Sequence, residues 1–94
     1  MNPHPPQELL DQMHVFPGKF TFKAIGHATD DFPQRVVAAI RTALNHDFDA
    51  PFETRETASR RHVAVTVEPW VDSSQQVIDV FTALRGVEGL VMLM

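Results

Sequence analysis

The residues best equipped for chemistry in this chain are two adjacent acids, Asp30 and Asp31, the basic run Arg60-Arg61-His62, the serine pair Ser73-Ser74 and five histidines. Paired carboxylates serve general acid-base catalysis when they face a closed pocket. Asp30 and Asp31 directly precede a helical pattern, where caps and partners of the helix dipole are expected, so capping accounts for them. The histidines, at 4, 14, 27, 46 and 62, are never three, four or five apart and have no cysteine partners. That spacing contains no local zinc motif, and neither a metal nor a cofactor is expected. Ser73 and Ser74 lack the G-x-S-x-G elbow of a serine nucleophile and read as helix caps. Four dispersed glycines form no phosphate-cradling G-x-x-x-x-G-K loop, which argues against nucleotide hydrolysis. Arg60 and Arg61 can hold an anion or an acidic partner by bidentate contacts, a solvated hairpin tip being the plainer account. No catalytic residue is assigned.

The chain that must position these groups has 94 residues, enough for one domain with one modest core. Its 44% hydrophobic and 21% charged residues fall in the ordinary globular range. The absence of cysteine removes disulfides, thiolate metal sites and cysteine nucleophiles together. Twelve acids against eight bases give a net charge of -4, the wrong sign for a protein that neutralises many phosphates, so no nucleic-acid partner is expected. No apolar run approaches the ~20 residues of a membrane helix, and Met1 to Pro6 lacks the basic start and apolar stretch of a signal peptide. A cytoplasmic protein without a membrane partner is the expectation.

Residues 1–14 combine three prolines with little apolar content and read as a flexible arm with at most one weak helical turn, leaving 15–94 as a single domain. Lys19 to Gly26 alternates, with Phe20, Phe22 and Ala24 on one face and Thr21, Lys23 and Ile25 on the other, as in a strand ended by Gly26. A helix follows to about Asn45, capped by Thr29, Asp30 or Asp31, with Pro33 in its first turn and an apolar stripe of Phe32, Val36, Ile40, Ala43 and Leu44. Phe52 to Ala58 reads as an edge strand protected by Glu53, Arg55 and Glu56. His62 to Pro69 reads as a central strand, with Val63, Val65 and Val67 in phase opposite Ala64, Thr66 and Glu68. Ser73 or Ser74 caps a second helix carrying Val77, Val80, Phe81 and Leu84, with Gly86 placed for a left-handed cap. Leu90 to Met94 closes the chain as a short apolar strand. This order predicts an α+β, ferredoxin-like βαββαβ sandwich: a four-stranded antiparallel sheet with two helices on one face.

The stretch Phe16-Pro17-Gly18-Lys19-Phe20-Thr21-Phe22-Lys23-Ala24-Ile25-Gly26 resembles the F-P-x-x-F-x-F-K-x-x-G stretch of the YbeD-like family of short, uncharacterised bacterial proteins. Gln76, Val77, Phe81, Leu84 and Val91-Met92-Leu93 are similar to that family's last helix and strand. The resemblance spans about Phe16 to Met94 and departs at Thr57 to His62, where the family usually has a serine, glycine and aromatic-bearing turn. It implies a fold similar to that of regulatory ACT domains and carries no set of catalytic residues.

A small non-enzymatic domain that regulates through protein association is therefore the leading expectation. Leu90 to Met94 has apolar side chains on both faces, more than one domain can cover, which points to a homodimer or a protein partner unless the N-terminal arm folds back over them. The second expectation is an ACT-like site for a small amino-acid-like effector at the turn after the first strand, involving Gly26, Asp30, Asp31 and Gln34. Asp30-Asp31-Phe32-Pro33-Gln34 partly fits the D-x-P-G-like opening of an ACT effector loop, Gln34 adding a side chain where glycine would admit a ligand. An acylphosphatase-like enzyme is a distant third, because that chemistry calls for an anion-gripping arginine where this turn offers acids. RNA stacking is disfavoured, since Phe20 and Phe22 lie in phase with the core and the opposite face shows Lys23, Ile25, Ala64 and Thr66.

Overall fold

Alternation of buried and exposed side chains along two central strands organises the molecule, seen in a computed structural model that describes residues 4–29 and 31–94. Seven residues, Gln7–Met13, form α1, and Gly18–Lys19 forms the short strand β1. Then come β2 (Phe22–His27), α2 (Phe32–Ala43), β3 (Phe52–Glu56), β4 (His62–Val67), β5 (Trp70–Val71), α3 (Ser74–Arg85) and β6 (Leu90–Leu93). The main sheet has four strands in the order β3-β4-β2-β6, all neighbours antiparallel. Its register pairs Phe22 with Val67, Ala24 with Val65 and Gly26 with Val63, so six buried residues share one face. Phe32, Val36, Ile40 and Leu44 from the α2 region join Val77, Val80, Phe81 and Leu84 of α3 and these sheet residues in one continuous core. The helices touch each other, α2 packing also on β2 and β4 and α3 on β5 and β6. Along the chain, β2, α2, β3, β4, α3 and β6 follow the expected α+β, ferredoxin-like βαββαβ order.

Three local features depart from the sequence reading. The first strand is broken in two: β1 pairs with β5 as a separate ribbon, while Phe20 N donates to Pro69 O at 3.0 Å. Pro69 has no amide to continue the β4 ladder, so the chain re-pairs on either side of it. Residues 7–13 of the expected arm are helical, with Leu10 2% exposed and α1 packed on α3. A helix of that length is marginal alone and takes its stability from docking, which local pattern does not reveal. Gly86 ends α3 with φ -86°, in the right-handed region; Gly89, φ 92°, makes the left-handed turn into β6. Ser73 does cap α3, its side chain accepting from Gln76 N at 3.4 Å. Among the described residues no helix is long and apolar enough to cross a membrane.

Val65 is 0% exposed and Thr66, its neighbour on the opposite face, is half-buried. Val65→Asp places an unpaired charge in the core and is expected to cost several kcal/mol, about 3 or more, in urea unfolding. Thr66→Asp is expected to cost about 1 kcal/mol or less. Equal losses would refute the assigned faces.

Candidate functional site

The entry into α2 is set by a ring and a missing side chain. Phe32 is fully buried, and a Cβ at Gly26 would lie 2.3 Å from its ring. Only glycine lets the first residue of the helix settle this deeply on β2. The chain reaches that position through Asp31, whose backbone is left-handed at φ 55° and ψ 42°. Asp31 O accepts from Arg35 N at 3.1 Å, but the Asp31 side chain makes no capping hydrogen bond and is exposed. The capping role expected of this carboxylate is thus filled by its backbone alone. Asp30, the other acid of the pair, lies outside the described residues.

Beyond β4 the sheet continues into β3, all five of whose residues are exposed. The space between β3 and the start of α2 is an open cleft of about 330 Å³. Thr29, Asp31 and Gln34 line it from the α2 side, Thr54 and Glu56 from β3, and Phe32 and Val63 contribute apolar surface. The pairing of Thr54 with Val65 and of Glu56 with Val63 places both β3 side chains on the sheet face that carries the buried valines. Arg35 braces the α2 side from behind: its guanidinium donates to Glu88 O at 2.6 Å and to Thr29 O at 3.4 Å, and lies 5.9 Å from the Phe32 ring centroid. The lining therefore offers two carboxylates, two hydroxyls and an amide, with no lysine or arginine among them. Such a surface favours a ligand that brings an ammonium group or another positive donor.

Of the residues expected at this site, Asp31 and Gln34 line the cleft together, whereas Gly26 lies buried beneath Phe32 and does not. Arg60 and Arg61 sit apart from the lining, exposed at the tip of the β3–β4 hairpin. Their guanidinium groups have no hydrogen-bond or ion-pair partner among the described residues. The tip is held by the backbone, Arg60 N donating to Thr57 O at 2.9 Å with Arg60 at φ 59°. Thr29 reads from sequence as a candidate helix cap in the turn after the first strand, and neither Thr54 nor Glu56 reads there as a site residue. Glu56 was legible only as a charge protecting an edge; its phase with Thr54 carries the signal, but register is needed to show which face that phase takes.

The family described as "Protein of unknown function (DUF493)" matches residues 11–94. The chain belongs to this family. It is the group of uncharacterised bacterial proteins that the Phe16 to Gly26 stretch resembles. A UPF0250 protein of Shewanella piezotolerans is 32% identical over 81 residues, covering 86% of this chain and 90% of that relative. A second, from Shewanella halifaxensis, is 31% identical with the same coverage. Among solved structures, the solution structure of protein HP0495 from H. pylori matches this DUF493 chain with a TM-score of 0.65, covering 97% of it and 96% of its own chain at 14% identity. At that identity the likeness shows the ferredoxin-like fold alone.

Gly26→Ala is expected to force the Phe32 ring aside and destabilise by about 1–3 kcal/mol, as overpacking does. Unfolding in urea measures it. An unchanged midpoint would show that Phe32 does not depend on the missing side chain.

Proposed function

We propose that this DUF493 protein acts by association, joining its β6 edge to the same strand of a second copy. The observation that carries this reading is the contrast between the two edges of the sheet. β3 carries Glu53, Arg55 and Glu56, charges that discourage strand addition. β6 carries neither charge nor proline, and Val91, Met92 and Met94 are 50%, 49% and 55% exposed. Residues 7–13 of the N-terminal segment, the alternative cover for β6, use their buried Leu10 in docking α1 on α3. An antiparallel contact of β6 with itself about a two-fold axis is self-complementary, satisfies main-chain groups and buries the same apolar side chains twice. Regulation through such contacts fits a small domain with no assigned catalytic residue.

Light scattering is expected to show a dimer at high micromolar concentration, and Met92→Lys, a charge placed on the edge, is expected to give a folded monomer. A native protein that stays monomeric under these conditions would overturn the reading.

The cleft favours a second reading, a small amino-acid-like effector. Its ammonium group would meet Asp31 and Glu56 while its carboxylate took amides at the start of α2, where the helix dipole favours negative charge. Calorimetry against amino acids and sugar phosphates is expected to show weak binding of the zwitterions, tightened by Gln34→Gly and abolished by Glu56→Gln. Binding of phosphates in preference, or no binding by the native protein and Gln34→Gly alike, removes the effector from consideration.

A further inference from the structure

The histidines that local spacing left unconnected include two that the sheet brings face to face. His27 ends β2 and His62 begins β4, and the antiparallel register sets them directly opposite each other. The strict alternation along both strands places them on the face opposite Val63, Val65 and Val67. Ala28 N donates to Arg61 O at 3.0 Å one position further on, which makes His27 and His62 a pair without mutual main-chain bonds. Side chains approach most closely at such pairs.

The backbone fixes both residues from the outside. His27 N donates to Gly89 O at 3.0 Å, while His62 O accepts from Thr57 N at 2.9 Å and His62 N donates to Thr57 Oγ1 at 3.3 Å. The two rings are left with their centroids 5.3 Å apart and their planes inclined by 33°. His27 is exposed, His62 is half-buried, and no nitrogen of either ring has a hydrogen-bond partner among the described residues.

We infer that His27 and His62 form a two-point chelate for a first-row divalent cation that prefers imidazole, such as Ni2+ or Zn2+. A metal bound about 2.0–2.1 Å from one nitrogen of each ring would lie about 3.2 Å from each centroid, separating the centroids by about 4.5 Å at a right angle and about 5.2 Å at a tetrahedral one. The 5.3 Å found in the protein is close to the tetrahedral value. Imidazole is a ligand these ions share, and two such donors held by paired strands lose little freedom on binding. Among the described residues no further histidine or carboxylate joins the pair in a group of three. The remaining coordination positions are therefore left to water or to a donor from another molecule, as in exchangeable rather than structural sites.

The test is calorimetric titration of the full chain with NiCl2 in a non-coordinating buffer, repeated with ZnCl2. One ion per chain is expected, with affinity falling about tenfold or more in His27→Gln and in His62→Gln, because an ion anchored by one imidazole meets the second at millimolar effective concentration. A variant with His4, His14 and His46 all changed to glutamine is expected to bind like the native protein. Nickel is also expected to raise the melting temperature of the native chain and not of the double variant that carries both His27→Gln and His62→Gln, since it binds the folded pair alone. Should His62→Gln unfold, the exposed His27→Gln carries the comparison. Binding that survives in the double variant, disappears in the triple one or is absent from the native protein overturns the inference.

Discussion

The contact on which most of this structure depends is the seating of Phe32 over Gly26. A fully buried phenyl ring contributes roughly 1.5–3 kcal/mol of transfer free energy, but only if it can reach the sheet. The Cβ of any other residue at position 26 would lie 2.3–2.6 Å from three carbons of the ring. Because the helix starts at that depth, Asp31 must turn through a left-handed backbone just outside it, and Arg35 can reach Thr29 and Glu88 from the next turn. The same glycine lies where the β2–β6 register shifts, between Ile25 and Gly26, so helix, bulge and last strand meet at one small residue.

The position of α2 also decides what it leaves uncovered. Val36, Val37 and Ile40 are buried in the core while β3 stands beyond it with every residue exposed. The cleft is the consequence: it exists because the edge strand extends past the helix, and it is polar because an exposed strand face is stable only with residues such as Thr54 and Glu56. At the other edge, β6 is joined to the core through Leu90 and Leu93 while Val91 and Met92 remain outside. The two edges thus differ in chemistry as well as in position, one charged and polar, the other apolar. A sheet with such unequal edges has a direction in which it can grow and one in which it resists growth.

Much of the fold was legible in residue pattern. The valine alternation from 63 to 67, the helical stripe Phe32-Val36-Ile40 and the second stripe Val77-Phe81-Leu84 all mark buried positions because burial is what imposes those periods. Ser73 was legible as a cap from its type and place. Helix α1 was not, since a short segment with one buried leucine has too weak a local signal and is held by α3. Gly86 and Gly89 show the same limit: two glycines near a helix end are equivalent in composition, and only the path of the chain into β6 decides which takes the positive φ.

For the candidate sites the division is sharper. Sequence by itself determined the order of the four main strands and of α2 and α3, the core faces, the charged and apolar edges, and the presence of acids before α2, because each follows from side-chain type at a local period. Tertiary structure alone decided that Asp31 shares a cleft with Glu56, that Gly26 serves the packing of Phe32, and that His27 faces His62. These are relations between segments distant along the chain. They are set by strand register and by the depth at which a helix packs, and a shift of one residue in either would leave every local pattern intact while separating the groups.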